Sequence, residues 1–359
     1  MEASPYSLDM IIFIDKKRIG YNQQPFIIAE AGVNHNGKLD LALKLVDAAK
    51  KVGADAIKFQ TFKAEQVVIS KGKMAEYQKK NTGKKETQLK MLKKLELREE
   101  DFKKIISHCK KKNIIFLSTP HGGFESVDFL QSLKVPAFKF GSGDLTNLPV
   151  LEHAAKFKKP MILGAGMATM KEVKEAVDCI KKAGNKKIIL LHCTTDYPCL
   201  SEEVNLASMQ SMMKKFPDLI IGYSDHTLGE QVPVMAVTLG AHVIEKHFTL
   251  DKKMKGPDHK ASAEPQELKE IIEKIRNVET ILGSSIKKPT ASEKKYILIV
   301  RKSVISLTNI KKGGKFTKDN IGIKRPGNGL PPRILFNLLG KKAKRNIRAD
   351  SLVRKADVV

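Results

Sequence analysis

The stretch Ala56-Ile57-Lys58-Phe59-Gln60 alternates so that Lys58 and Gln60 share one face of a strand and Ile57 and Phe59 the other. Phe138-Lys139-Phe140-Gly141-Ser142 repeats the arrangement. Both belong to a longer series running from residue 26 to about residue 283. Each member is a short apolar run, a polar turn, and a segment of 3.6-residue periodicity, which predicts parallel strands joined by crossover helices. The strand candidates are Phe26–Glu30, Ala56–Gln60, Ile114–Ser118, Ala137–Ser142, Met161–Ala165, Ile188–Cys193, Leu219–Ser224 and His242–His247. Leu39–Lys51, Glu99–Lys112, Lys171–Ala183 and Pro265–Leu282 carry helical patterns between them. Eight strands alternating with helices favour a (β/α)8 TIM barrel over an open doubly wound sheet. With helices outside, the aromatic faces point to the helix layer and both lysines point into the barrel.

Beyond the barrel pattern the chain changes character. Residues 1–24 form an N-terminal extension or extra hairpin, 25–283 the barrel, 284–300 a polar linker, and 301–359 a small second domain punctuated by Gly313-Gly314 and Arg325-Pro-Gly-Asn-Gly329. The net charge is +26, and residues 285–359 hold 20 Lys and Arg against 4 Asp and Glu. Such a field draws anions, whether nucleic acid, acidic lipid or a phosphorylated small molecule. Scattered Cys109, Cys179, Cys193 and Cys199 form no CxxC pair, which argues against a disulfide framework and a thiolate zinc site. No apolar run reaches the roughly 20 residues of a membrane span. No basic stretch leads into an apolar core near the N-terminus, so the cytoplasm is the default expectation.

Nearly every candidate strand ends in polar or glycine residues, at the barrel mouth where active sites are built. An unpaired buried ammonium costs several kcal/mol, so Lys58 and Lys139 call for bound anions or for partner carboxylates such as Glu30 or Glu245. Strand seven ends Ser224-Asp225-His226 and strand eight runs Glu245-Lys246-His247. Adjacent strands would bring His226 and His247 together as a two-imidazole divalent-metal site, with Asp225 and Glu245 alongside. His108, His153 and His242 lack such a setting and read as structural or surface residues. Hydroxyls and glycines at Ser118-Thr119, Gly141-Ser142-Gly143, Gly164-Ala-Gly166 and Thr194-Thr195 add donors suited to an anion. Together with the lysines they describe a phosphate and carboxylate pocket.

Ile27-Ile-Ala-Glu30-Ala-Gly-Val-Asn-His-Asn-Gly37 closely resembles the opening of the N-acetylneuraminate (sialic acid) synthase family, which includes legionaminate and pseudaminate synthases. Lys58-Phe-Gln-Thr61, Lys139-Phe-Gly-Ser-Gly-Asp144, His192-Cys-Thr-Thr-Asp-Tyr-Pro198, Ser224-Asp-His-Thr227, Glu245-Lys-His-Phe-Thr249, Gly256-Pro-Asp258 and Lys324-Arg-Pro-Gly-Asn-Gly329 resemble its later motifs in order. The resemblance implies a barrel followed by an antifreeze-like (SAF) domain, in a domain-swapped homodimer. It implies His226 and His247 as ligands of a divalent metal, manganese first, with magnesium or cobalt as alternatives. It places Glu30 and Asp258 at the metal-proximal end and the sugar hydroxyls. Lys58, Thr119, Lys139, Ser142 and Ser224 would contact phosphoenolpyruvate. Gln60, Asn81 and Tyr197 would lie on the sugar side or support it, and Arg325 would reach the sugar's N-acetyl group from the neighbouring subunit. Gly164 stands where some members carry a phosphate-binding serine, and Thr195 where some carry asparagine.

The implied reaction joins phosphoenolpyruvate to an open-chain amino sugar and adds water. The sugar is N-acetylmannosamine or a 2,4-diacetamido-6-deoxy hexose, and the products are a nonulosonic acid and phosphate. Two rivals remain open at this level. A lysine Schiff-base aldolase could use Lys58 or Lys139. A polyanion binder could use the basic C-terminal domain, but no aromatic platform interleaves with its lysines, so nucleic acid and membrane are not expected partners.

Overall fold

The computed structural model describes residues 10–83 and 86–359, leaving the first nine residues of the expected extension outside the described residues. The chain divides into two compact units, Met1–Gly283 and Ser284–Val359.

In the first unit, β1 (Ile11–Ile14) and β2 (Lys17–Gly20) form an antiparallel hairpin. Eight parallel strands follow: β3 (Phe26–Gly32), β4 (Ala56–Thr61), β5 (Ile115–Pro120), β6 (Phe138–Phe140), β7 (Met161–Gly164), β8 (Ile188–His192), β9 (Ile220–Asp225) and β10 (Val243–His247). Their order is β5-β4-β3-β10-β9-β8-β7-β6, and β5 and β6 approach each other to bring the sheet nearly closed. The expected TIM barrel is therefore present. Helices such as Leu39–Lys51, Glu99–Lys112 and Met170–Lys182 connect the strands, and their buried faces pack on the outward residues Ile27, Ile57, Phe59, Phe138 and Phe140.

Strand alternation sorts the barrel interior into layers. The lower layer is apolar, with Phe26, Ile28, Ala56, Leu117, Ile162, Ile189 and Val243 packed on Ile12, Ile14 and Ile19 of the hairpin, which plugs the N-terminal end. Two residues further along β3, β4 and β10, the inward positions become Glu30, Lys58 and Glu245. Gly222 is required inside this stack, because a Cβ there would lie 2.4 Å from the Val243 carbonyl oxygen and 2.8 Å from Leu191 Cδ2. At the end of β3 the register with β4 shifts between Glu30 and Gly32, and Gly32 has φ 53°, a left-handed turn that glycine takes at little cost.

The second unit pairs β11 (Ser303–Ser306) with β12 (Ile321–Lys324), antiparallel, over a core of Val304, Ile310, Phe316, Ile321, Leu338, Ile347 and Val353. The expected polar linker is partly helical, with turns at Ala291–Lys294, capped by Thr290, and Ile297–Val300.

Candidate active site

The C-terminal mouth of the barrel opens into a cavity of about 360 Å³. Its floor is a chain of alternating charges. Lys58 Nζ lies 2.6 Å from Glu30 Oε2, 3.7 Å from Glu245 Oε1 and 3.1 Å from Thr119 Oγ1. Glu245 Oε1 also accepts from Lys139 Nζ at 3.1 Å and Ser224 Oγ at 3.4 Å, and Gln60 Nε2 donates to Glu30 Oε1 at 3.2 Å. Both lysines thus point inward as expected, and internal carboxylates pair with them. Glu245, weighed in the sequence only as a partner or neighbour, is the junction of this network.

Burial sets the protonation of these groups. It raises the Glu30 carboxyl above its ordinary range, with Lys58 only partly offsetting it. It would likewise raise Glu245, but Lys139 and Lys58 outweigh it and hold that group low. Burial would lower the Lys139 ammonium, yet Glu245 and Glu30 hold it above the usual lysine range. Asp258, buried and close to Glu30, is pushed up to about 7.

His226 and His247 do meet at the ends of β9 and β10, with ring centroids 5.5 Å apart. Tyr197 packs against both, its ring 4.2 Å from His226 and 5.4 Å from His247. His226 Nδ1 donates to the Thr194 carbonyl at 2.5 Å, which fixes the tautomer and leaves Nε2 as a free lone pair. Among the described residues His247 Nδ1 is buried without a hydrogen-bond partner. Burial lowers both imidazoles, His247 well below the ordinary value, so both stand in the neutral form a metal requires. Among the described residues no three His, Cys, Asp or Glu side chains are arranged as a metal-binding group. The donor set here would suit a divalent ion held by two imidazoles, His226 and His247. Asp225, expected beside the histidines, instead faces outward and pairs with Lys246 at 2.5 Å.

The donor end of the cavity lies across β6, β7 and β8. Ser142 Oγ accepts from the Gly166 N–H at 3.1 Å and lies 3.2 Å from Cys193 Sγ. Thr195 Oγ1 is buried with no hydrogen-bond partner among the described residues. Gly166 has no room for a side chain, since a Cβ would sit 2.4 Å from Thr195 Oγ1 and 2.7 Å from Ser142 Oγ. At Gly164 a Cβ would lie 3.2 Å from Ser142 Oγ, a tight fit for a serine.

Of the expected site residues, Glu30, Lys58, Gln60, Thr119, Lys139 and Ser142 line the cavity, as do Thr195, Tyr197, Ser224, His226, His247 and Asp258. Asn81 does not line it. Its amide donates to the Pro257 carbonyl at 2.7 Å and so anchors the loop carrying Asp258. Arg325 lies on an exposed loop of the second unit, after β12. His108 and His153 pair with Asp47 and Asp128, as surface residues would. Sequence reasoning missed Tyr77, whose ring packs tilted against Tyr197 at 5.0 Å, and an apolar wall of Val33, Phe62, Met91 and Leu95. Phe62, Tyr77, Met91 and Leu95 come from the segment between β4 and β5, and Val33 from the turn after β3, where no strand periodicity marks them.

Comparison with known proteins places these observations in a family. The chain matches the family described as the NeuB family over residues 45–287 and the SAF domain over residues 301–359. It is 51% identical to the N,N'-diacetyllegionaminic acid synthase of Campylobacter jejuni over 334 residues, covering 92% of this chain and 99% of that protein. The enzyme of the same name from Legionella pneumophila is 46% identical over 336 residues, 92% and 93% of the two chains. Among solved structures, the Bacillus subtilis spore coat polysaccharide biosynthesis protein SpsE aligns with a TM-score of 0.67 at 36% identity, covering 98% of this chain and 99% of that one.

Proposed function

The chain belongs to the NeuB family, a nonulosonic acid synthase in class, and from that premise we propose that it condenses phosphoenolpyruvate with an open-chain N-acetylated amino sugar and water, releasing phosphate. The observation that carries this reading is the convergence of two neutral imidazoles with the Lys58 and Lys139 ammonium groups in one barrel-mouth cavity.

A divalent ion held by His226 and His247, manganese first, with magnesium or cobalt as alternatives, would polarise the sugar aldehyde as a Lewis acid. Lys58, Thr119 and Ser224 would bind the phosphoenolpyruvate carboxylate, and Lys139 and Ser142 its phosphate, with Thr195 offering its unpaired hydroxyl. So held, the enol carbon meets the aldehyde carbon at high effective concentration. Asp258, about half protonated near neutral pH, is suited to give the forming alkoxide its proton. Glu30, made more basic by burial, is suited to take a proton from the water that adds at C2. Carbon–oxygen cleavage then expels phosphate, whose charge Lys139 compensates.

The apolar wall narrows the sugar. Val33, Phe62, Met91 and Leu95 offer surface to methyl groups, and both lining lysines are already ion-paired. A 2,4-diacetamido-6-deoxy hexose suits this wall better than N-acetylmannosamine or a sugar phosphate, and relatives named as diacetyllegionaminic acid synthases point the same way. The protein would act as a domain-swapped homodimer, with the partner's Arg325 at the acetamido group. Exposed Ile281, Leu282, Ile286, Tyr296, Leu298 and Ile299 supply apolar surface for such a partner. No helix among the described residues is long and apolar enough to cross a membrane.

The Schiff-base aldolase is disfavoured because a nucleophilic lysine needs a depressed pKa, whereas that of Lys139 is raised and Lys58 is ion-paired. Measuring phosphate release from phosphoenolpyruvate with each candidate sugar tests the reading. Release with none of them would defeat it, as would borohydride trapping of a lysine–pyruvate adduct.

A further inference from the structure

The floor of the cavity is electrically spent. Five of its lining side chains can carry positive charge: Lys58, Lys139, His121, His226 and His247. Glu30 and Glu245 match the two lysines, at 2.6 Å from Lys58 and 3.1 Å from Lys139. A substrate bearing both a carboxylate and a phosphate therefore brings more negative charge than these four groups balance.

Apart from the two imidazoles assigned to the metal, His121 is the remaining base among the described lining residues, and it is oriented. It follows β5 immediately, with its N–H bonded to the Thr61 carbonyl at 3.0 Å. Its Nδ1 lies 3.1 Å from Asp144 Oδ2, on the short turn that begins at Ser142. Its Cε1 stands 3.4 Å from where a Cβ on Gly141 would be, so the ring lies against the Gly141-Ser142 loop. The ring is half-buried, and among the described residues Nε2 has no hydrogen-bond partner. His108 and His153 also pair with aspartates, but neither lines this cavity.

Taking the synthase reading as its basis, we propose that His121 is a phosphoenolpyruvate-binding residue: Asp144 holds its Nδ1 side, and Nε2 faces the phosphate beside Ser142. Substrate then places the ring between the Asp144 carboxylate and the phosphate. Asp144 acts through His121 as a positioning residue.

His121→Gln, in the full-length metal-loaded protein, tests this directly. The KM for phosphoenolpyruvate should rise about tenfold or more, as expected for loss of a charge-assisted hydrogen bond. The sugar KM and the melting temperature should stay put, and inhibition by inorganic phosphate should weaken in parallel. Asp144→Asn should raise the same KM by less, and the double variant should add little to His121→Gln. If His121→Gln proves unstable, His121→Asn carries the same expectations. An unchanged phosphoenolpyruvate KM, or a rise in the sugar KM alone, would overturn the assignment while leaving the synthase reading intact. Should the wild type fail to consume phosphoenolpyruvate with any sugar, the synthase reading falls instead. Calorimetric titration with inorganic phosphate then decides the subsite: binding that His121→Gln abolishes upholds it, and binding that is absent or unaffected by the substitution overturns it.

Discussion

Lys58 Nζ sits between two carboxylates, 2.6 Å from Glu30 Oε2 and 3.7 Å from Glu245 Oε1, with all three side chains almost wholly buried. Replacing Lys58 by Met would leave two carboxylates in one dry space with Lys139 alone to balance them. A loss of roughly 3 to 5 kcal/mol in unfolding free energy is expected, together with loss of phosphate release. Denaturant unfolding near neutral pH measures it; a change under about 1 kcal/mol would mean the network is solvated and weak.

Asp258 carries a pH signature. Burial and the nearby Glu30 push its folded pKa up to about 7, above the 3.8 of an ordinary aspartate. Between those values the unfolded chain binds fewer protons than the folded one, so this group makes stability fall as pH rises from about 4 to 7. Asp258→Asn should remove that slope, gaining on the wild type across this window. The wild-type rate should also lose its acid above about pH 7, a limb missing from the variant's residual activity. Parallel stability curves for the two proteins would contradict the assignment.

Much of the barrel and site was legible because strand alternation leaves no freedom: once Ile57 and Phe59 face the helices, Lys58 faces inward. The same rule turned against one expectation. Asp225 adjoins His226 in sequence, yet it lies on the outward face of β9 and pairs with Lys246. Tyr77 and the wall of Val33, Phe62, Met91 and Leu95 were not legible, since these residues meet through loop packing rather than through any repeat. The pairing of each lysine with a glutamate was foreseeable only as an alternative to bound anions. Periodicity gives the direction of a side chain and not what meets it there.

Gly222 tests the layered interior. A Cβ would press on the Val243 carbonyl and Leu191 from inside a nearly closed sheet. Gly222→Ala should cost about 1 to 3 kcal/mol through overpacking, read as a lower melting temperature. An unchanged melting temperature would show that β9 can shift and that the barrel is looser than described.

Arg325→Ala should raise the sugar KM while leaving that for phosphoenolpyruvate unchanged, because its proposed contact is the acetamido group alone. Steady-state kinetics with each substrate varied in turn separates the two. Equal effects on both constants would argue for general damage to the second unit.

The most direct test of the two-imidazole centre uses protein stripped by chelation, reloaded with manganese, and assayed for phosphate release from phosphoenolpyruvate and a 2,4-diacetamido-6-deoxy hexose. Activity should vanish on stripping and return on reloading, and His247→Ala should bind no manganese while keeping its fold. Full phosphate release by the stripped protein would contradict the account.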